Sequence, residues 1–328
     1  MHVMQHNNSL TQIPCPACGT LLAKTLEEID LDEEFSLYFP NDKEKIDRLK
    51  PLSALDVSSY SINLCNQCSL TYSTPMKGAA SPWYEFVYLK LDFHASYRWE
   101  FDHVIDNVDT GLSVGEIGCG TGIFLDACQK KKLPARGVDF ANASVNICLT
   151  KGLDAVALSV ETDYSEFIAN DKRDVIASFH VLEHLENPNS LFELANLWSK
   201  PEATLWVAVP SDTRIDRLLG KKDIFDEPPH HLTKWSKESL RVIGEKNGWE
   251  MLELIYETRP FRQRLYDLLV EKRGNNETPS LSNHPTLGKW LDRISRYAQY
   301  PWLYINNKAI VDSITGHSML VRYRKLKQ

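Results

Sequence analysis

The sequence has no apolar run near the roughly 20 residues that span a bilayer. Its opening Met1-His2-Val3-Met4-Gln5-His6-Asn7-Asn8 has neither the basic nor the apolar region of a secretion signal. The expectation is a cytoplasmic protein without membrane contact. It also has no internal repeat, no low-complexity tract and no excess of basic residues. A net charge of -7 and a pI near 5.8 disfavour a broad phosphate-binding surface, so nucleic acid is not the expected substrate. At 328 residues, 43% apolar and 25% charged, the chain can bury a sizeable core in one large domain or two smaller ones.

Glycine is concentrated at one informative place. An apolar run from Leu112 to Ile117 breaks into Gly118-Cys119-Gly120-Thr121-Gly122, and apolar residues then recur at Ile123, Phe124, Ala127 and Cys128 with helical spacing. This is a strand, a glycine turn and a helix. The amides of such a turn and the helix N-terminus behind it suit a polar or anionic ligand group. A dinucleotide fingerprint would need glycine at position 123, where this chain has isoleucine.

Glu116-Ile117-Gly118-Cys119-Gly120-Thr121-Gly122 resembles the first motif of the class I (Rossmann-like) S-adenosylmethionine-dependent methyltransferases, and the likeness runs from about Trp83 to the C-terminus. The resemblance implies that the turn (Glu116, Gly118, Cys119, Gly120, Gly122) faces the amino-acid part of the cofactor. It also implies that an acid closing the next strand holds the ribose. That acid is Asp139, 17 residues beyond Gly122, with Phe140 beside it. A carboxylate there can accept from both ribose hydroxyls. Capping of the following helix is left to Asn142 or Ser144. The adenine is expected near Ser159 and Val160, and Phe179 closes the fourth strand on the cofactor.

Phe179 runs into His180-Val181-Leu182-Glu183-His184. This string contains the H-x-x-E-H pattern of one zinc-protease class, but it begins at a strand end and resembles the "VLEH" signature of small-molecule methyltransferases. A divalent ion on His180, Glu183 and His184 is a further option. The second informative stretch is Phe225-Asp226-Glu227-Pro228-Pro229-His230-His231-Leu232, a proline-stiffened loop on the side of the sheet where open α/β sheets place ligands. Imidazole suits proton removal near neutral pH. His230 and His231 are therefore the leading base candidates, with His180 behind them. The solvent-facing role is expected of His230, and a loop-holding bond to a backbone carbonyl of His231. Tyr84, Tyr88 and Arg98, from an aromatic-rich stretch, are further pocket candidates.

Four of the seven cysteines form two C-x-x-C pairs, Cys15/Cys18 and Cys65/Cys68. Two such knuckles complete a tetrahedral four-cysteine zinc site. The 46 residues between them must carry structure of their own, although their acidic start (Asp30, Asp32, Glu33, Glu34) reads as solvated surface. The module resembles one found on bacterial methyltransferases of sugar and polysaccharide pathways.

The expected architecture is α/β, a seven-stranded, mostly parallel sheet flanked by helices with an antiparallel last strand. Residues 1–80 would form a zinc-ribbon-like module and linker, and residues 81–328 a methyltransferase domain with a helical insertion at about 259–315. The insertion offers either a lid or a homodimer surface. The implied activity is methyl transfer from S-adenosylmethionine to an oxygen of a small-molecule acceptor, which the module's company suggests is a saccharide or nucleotide-linked sugar. The alternatives are an RNA methyltransferase with a zinc module and a catalytically silent scaffold that binds zinc and cofactor.

Overall fold

The computed structural model describes residues 13–91, 96–158, 170–273 and 287–327. The chain divides into two compact units, one of residues up to Pro210 with Ile224–Ile255 and Leu320–Gln328, the other of Ser211–Asp223 and Tyr256–Met319. In chain order the first half comprises β1 (Ala23–Asp30), α1 (Leu31–Tyr38), α2 (Lys43–Ser53), β2 (Ser59–Cys65), β3 (Thr71–Thr74), α3 (Ser81–Lys90) and α4 (Trp99–Asp106). It continues through β4 (Val114–Ile117), α5 (Ile123–Lys130), β5 (Ala135–Asp139), α6 (Asn142–Thr150), β6 (Ala155–Ala157) and β7 (Arg173–Phe179). Then follow α7 (Asn189–Trp198), β8 (Ser199–Pro210), β9 (Thr233–Lys234), α8 (Lys237–Lys246), β10 (Trp249–Tyr256), α9 (Phe261–Arg273), α10 (Leu287–Ser313) and β11 (Ser318–Lys325).

The larger sheet has seven strands in the order β10-β11-β8-β7-β4-β5-β6. The five from β4 to β8 run parallel. Glu257 N donates to Ser318 O and Leu326 N to Gly248 O, so β11 runs antiparallel to β10. Strand order reverses beside β4, which places the ends of β4, β5 and β7 at the switch point where such sheets bind ligands. All four residues of β4 are buried, and Leu205 to Val209 of β8 are buried on both faces. Helix α5 lays Phe124, Ala127 and Cys128 onto this sheet, in one cluster with Phe101, Phe179 and Trp206. Phe101 and Phe179 meet edge to face at 4.8 Å.

The smaller sheet is antiparallel in the order β1-β2-β3-β9. Between β1 and β2, helices α1 and α2 lie in the gap between the cysteine pairs, and they are more than the solvated surface expected there. Asp30 caps α1 by accepting from Asp32 N and Glu33 N at 2.9 and 3.0 Å. Phe35, Tyr38 and Leu49 then form one apolar cluster with Trp83, Phe86 and Val87 of α3, and Glu34 is buried with them. The helical period puts these apolar side chains on one face even though the segment is acidic overall. Emptying that cluster at Phe35 (Phe35→Ala) would cost about 3–5 kcal/mol.

The second unit packs Leu265, Leu268 and Leu269 of α9 against Leu303 and Val311 of α10, with Ile215, Leu218 and Leu219 joining them. The helical insertion expected at about 259–315 is borne by these two helices. In the structure α10 continues through Tyr300, Trp302 and Tyr304 to Ser313, with non-helical backbone at Asn307.

Candidate functional site

Two loops bring the four cysteines together, and each is built the same way. Cys15 N donates to Thr20 O and Gly19 N to Cys15 O, both at 2.8 Å; Cys65 N donates to Leu70 O at 2.9 Å and Ser69 N to Cys65 O at 3.0 Å. Gly19 and Ser69 hold the matching left-handed position at φ +76° and +58°. The sulfurs lie 3.6 Å apart for Cys15/Cys68 and 3.5 Å for Cys18/Cys65. That is far too long for a disulfide and near the roughly 3.8 Å edge of a tetrahedron with 2.3 Å zinc–sulfur bonds. Contact with the Cys68 sulfur pulls the Cys15 thiol down, and Cys15 in turn pushes Cys68 up. Crowded sulfurs that favour a thiolate suit a dication.

The glycine turn lies at the end of β4. Gly118 has φ +77°, and a Cβ there would fall 2.3 Å from Val181 Cγ2. Gly122 has φ +81°, and its Cβ would meet Leu153 at 2.6 Å. Gly120, between them, faces open space. Asp139 ends β5 and holds the turn, accepting from Gly120 N through Oδ2 and from Ala141 N through Oδ1, both at 2.8 Å. Helix α6, with Ala141 at its N-cap position, has no side-chain cap, so the capping expected of Asn142 or Ser144 is not made. Each carboxylate oxygen still has a lone pair to offer ribose.

A cavity of about 540 Å³ opens here, lined by Gly118, Asp139 and Phe140 and also by Tyr84, Tyr88 and His184. Phe179 and His180 also line it. Glu116 and Cys119 lie beneath the turn instead of on the wall. Glu116 is 3% exposed, and burial, reinforced by the charge of Asp139, holds its carboxyl well above the usual range. Cys119 packs against β5, where a Cβ on Gly137 would fall 2.7 Å from its sulfur. Ser159 and Val160 lie outside the described residues.

His180 stands at the end of β7 with φ +56°, an uncommon conformation for this residue type. Its Nε2 lies 3.2 Å from both Glu100 Oε1 and Arg98 Nη1, and its Nδ1 3.3 Å from Glu183 Oε1. Burial lowers its pKa, but the two carboxylates outweigh that and raise it overall. Burial raises Glu183, yet His180 and the other nearby histidines bring it down to about 2. His180 is therefore an ion-pair partner, poorly placed to act as the neutral base expected from sequence.

The HHL loop is fixed at both ends. Leu232 N donates to Glu183 O, Ser73 N donates to Leu232 O, and Glu227 O accepts from the amides of His230 and His231. This brings His230 and His231 against His184, with ring centroids 4.6 to 4.9 Å apart. Neither loop histidine faces solvent as expected of His230, and the carbonyl bond expected of His231 is made by His230 instead. His230, only 5% exposed, is the one bound to a backbone carbonyl, with Nδ1 2.7 Å from Phe225 O and Nε2 2.8 Å from Tyr88 Oη. Two adjacent prolines turn its ring inward. His231, also buried, pairs Nδ1 with Asp226 Oδ1 at 3.0 Å.

Neither loop histidine lines the cavity, whereas His184 does. His184 donates Nδ1–H to His230 O at 2.7 Å, and burial followed by the charge of His231 pulls its pKa down to about 4. From sequence His184 was only an ion-ligand option. The E-H pair marked it, but its contact with a loop 46 residues away has no local signal.

Residues 101–254 match the family model described as a methyltransferase domain. Among curated proteins the chain is similar to the mitochondrial ubiquinone biosynthesis O-methyltransferase of Dictyostelium discoideum, with 23% identity over 44% of this chain and 51% of that one. It is also similar to the ubiquinone biosynthesis O-methyltransferase of Pasteurella multocida, with 25% identity over 32% of this chain and 48% of that one. The chain thus spans about half the length of these relatives. A SAM-dependent methyltransferase from Archaeoglobus fulgidus superposes with a TM-score of 0.45 at 20% identity, covering 69% of this chain and 91% of that structure.

Proposed function

We propose, on the premise that residues 101–254 are a methyltransferase domain, that the chain transfers a methyl group from S-adenosylmethionine to a hydroxyl of a small-molecule acceptor. The observation that carries this reading is one cavity whose wall includes both the Gly118–Asp139 turn and Tyr84, Tyr88 and His184. Gly118, Gly120 and Asp139 would hold the cofactor, which supplies an electrophilic methyl on sulfonium. The chain's own part is mainly alignment of an in-line attack.

His184 takes the acceptor proton. Its Nδ1–H is committed to His230 O, so its lone pair is on Nε2, and buried Glu183 nearby stabilises the imidazolium as it forms. The names of the similar proteins favour oxygen as the acceptor atom. The saccharide-linked acceptor rests on the likeness of the N-terminal module alone. The four cysteines are read as a structural zinc site, on the sulfur spacing and the matched loops.

Titration calorimetry with S-adenosylmethionine, followed by methyl transfer to a panel of phenols and nucleotide-linked sugars, tests the proposal. Micromolar cofactor binding with turnover on one class supports it. Absence of cofactor binding refutes it, and binding without turnover on any acceptor favours a silent scaffold. His184→Asn should lower turnover at least tenfold while sparing cofactor affinity.

A further inference from the structure

We propose that His184, His230 and His231 form a site for a divalent transition-metal ion beside the cavity that His184 lines, bound through their three Nε2 atoms. Among the described residues, only these three and the four cysteines gather three or more ligand-capable side chains with donor atoms within 4.8 Å of one another. His180 and Glu183, the other members of the ion site that the sequence suggested, do not belong to either group.

The tautomers are already set for a metal. His184 Nδ1 faces His230 O at 2.7 Å, His230 Nδ1 faces Phe225 O at 2.7 Å, and His231 Nδ1 faces Asp226 Oδ1 at 3.0 Å. An oxygen that only accepts fixes the proton on each Nδ1 and leaves each lone pair on Nε2. Two carbonyls and one carboxylate behind three imidazoles are the outer partners that metal-ligating histidines use. The Nε2 atoms of His184 and His231 make no hydrogen bond among the described residues, while His230 Nε2 receives the Tyr88 hydroxyl at 2.8 Å.

Packing alone explains this arrangement poorly. Two buried imidazoles and a half-buried third, whose charged forms repel one another, cost stability that apolar side chains would not. Asp226 and Glu183, 2% and 0% exposed, supply buried negative charge to balance a dication. Nitrogens sharing a tetrahedral zinc lie about 3.4 Å apart. The ring nitrogens, already within 4.8 Å of one another, would draw together on the ion, and the Tyr88 hydroxyl would turn from His230 toward a bound water or the acceptor oxygen. Imidazole ligands suit zinc, cobalt, nickel or iron(II) better than magnesium or calcium. An imidazole that binds the ion through Nε2 cannot also take a proton, so the ion-loaded state replaces His184 as the group that activates the acceptor. The purpose of the site rests on the methyl-transfer reading; its existence does not.

The test is titration of the chelator-stripped full chain with cobalt(II), followed by absorption. Two equivalents are expected: one with an intense thiolate charge-transfer band, lost in the Cys15→Ser/Cys18→Ser double variant, and one with weak d–d bands only, lost in His231→Gln and His184→Gln. A single equivalent, or a second that both histidine variants retain, overturns the proposal. If a histidine variant also loses the thiolate band, it has unfolded, and Asp226→Asn decides instead. That change should weaken the second cobalt roughly 10- to 100-fold, and unchanged affinity overturns the proposal. Because the readout is metal and not methyl transfer, a negative result leaves the methyl-transfer reading intact.

Discussion

The four cysteines and the three histidines are both groups of ligand-capable side chains drawn within 4.8 Å, but they are assembled in opposite ways. The cysteines come as two local loops, each closed by its own backbone bonds. The histidines come from a turn after β7 and a distant proline loop, joined by the bonds of Leu232 and His184. A site made of local runs depends on its ligand for order, whereas a site assembled from distant segments depends on the fold. The sharpest way to break this contrast is the Cys15→Ser/Cys18→Ser double variant. Structural zinc contributes about 10–16 kcal/mol in isolated fingers; here the apolar cluster of α1, α2 and α3 shares the work. Metal analysis should show one zinc equivalent lost, with a fall in thermal midpoint larger than that of His180→Ala, Asp139→Ala or Glu116→Gln. A metal-free wild type with an unchanged midpoint would remove the zinc site.

The assembled side has its own test in His180→Ala. The imidazole lies against Glu183, whose carboxylate has no solvent exposure. Removing it leaves a buried charge without its partner, at about 3–5 kcal/mol by denaturant titration. The pH dependence has a definite sign. Because the His180 pKa is raised on folding, its contribution is complete below about 6.5 and is lost as pH rises through the folded value. Because Glu183 is lowered to about 2, its contribution is complete above about 4.5 and is lost as pH falls toward 2. The gap between wild type and variant should therefore be widest between about pH 4.5 and 6.5. A gap independent of pH would mean that packing, not charge, carries the cost.

Legibility followed the same division. The glycine turn, Asp139 and both cysteine knuckles could be read because each is a short run with a fixed geometric purpose. So could the central strands β4, β7 and β8 of the larger sheet, whose apolar runs are buried on both faces. The acidic segment after β1 misled because composition hides helical period: Leu31, Glu34, Phe35 and Tyr38 share one buried face. The histidines misled because adjacency says nothing about direction. Whether His230 or His231 bonds a carbonyl is decided by Phe225 O, Asp226 and Tyr88, which sequence cannot place around them.

Asp139→Ala tests the local side at smaller cost. The fold should change little, since Asp139 is partly exposed at a strand end. Each charged hydrogen bond to a ribose hydroxyl is worth about 1.5–3 kcal/mol. Cofactor affinity should fall at least roughly tenfold in calorimetry, and Asp139→Asn should recover part of it by keeping one of the two bonds, from Gly120 N or Ala141 N, in reach. Equal affinity in all three proteins would leave Asp139 as a brace of the glycine turn alone.

The smallest effect expected is a gain, and it separates architecture from binding within the glycine motif itself. Glu116 opens that motif, but it lies under the turn at 3% exposure and does not line the cavity. Burial, then the charge of Asp139, raises its carboxyl well above the ordinary range. The folded state thus keeps a proton that the unfolded chain releases. The stabilising difference is complete below the unfolded pKa near 4.5 and is lost as pH rises toward the folded value. Glutamine has the same shape and does not titrate, so Glu116→Gln should match the wild type near pH 4 and exceed it near pH 8 by on the order of 1 kcal/mol. Cofactor affinity should be unchanged. A loss of affinity with no gain in stability would instead place Glu116 among the groups that touch the cofactor, and the turn would then bind from below as well as from its open face.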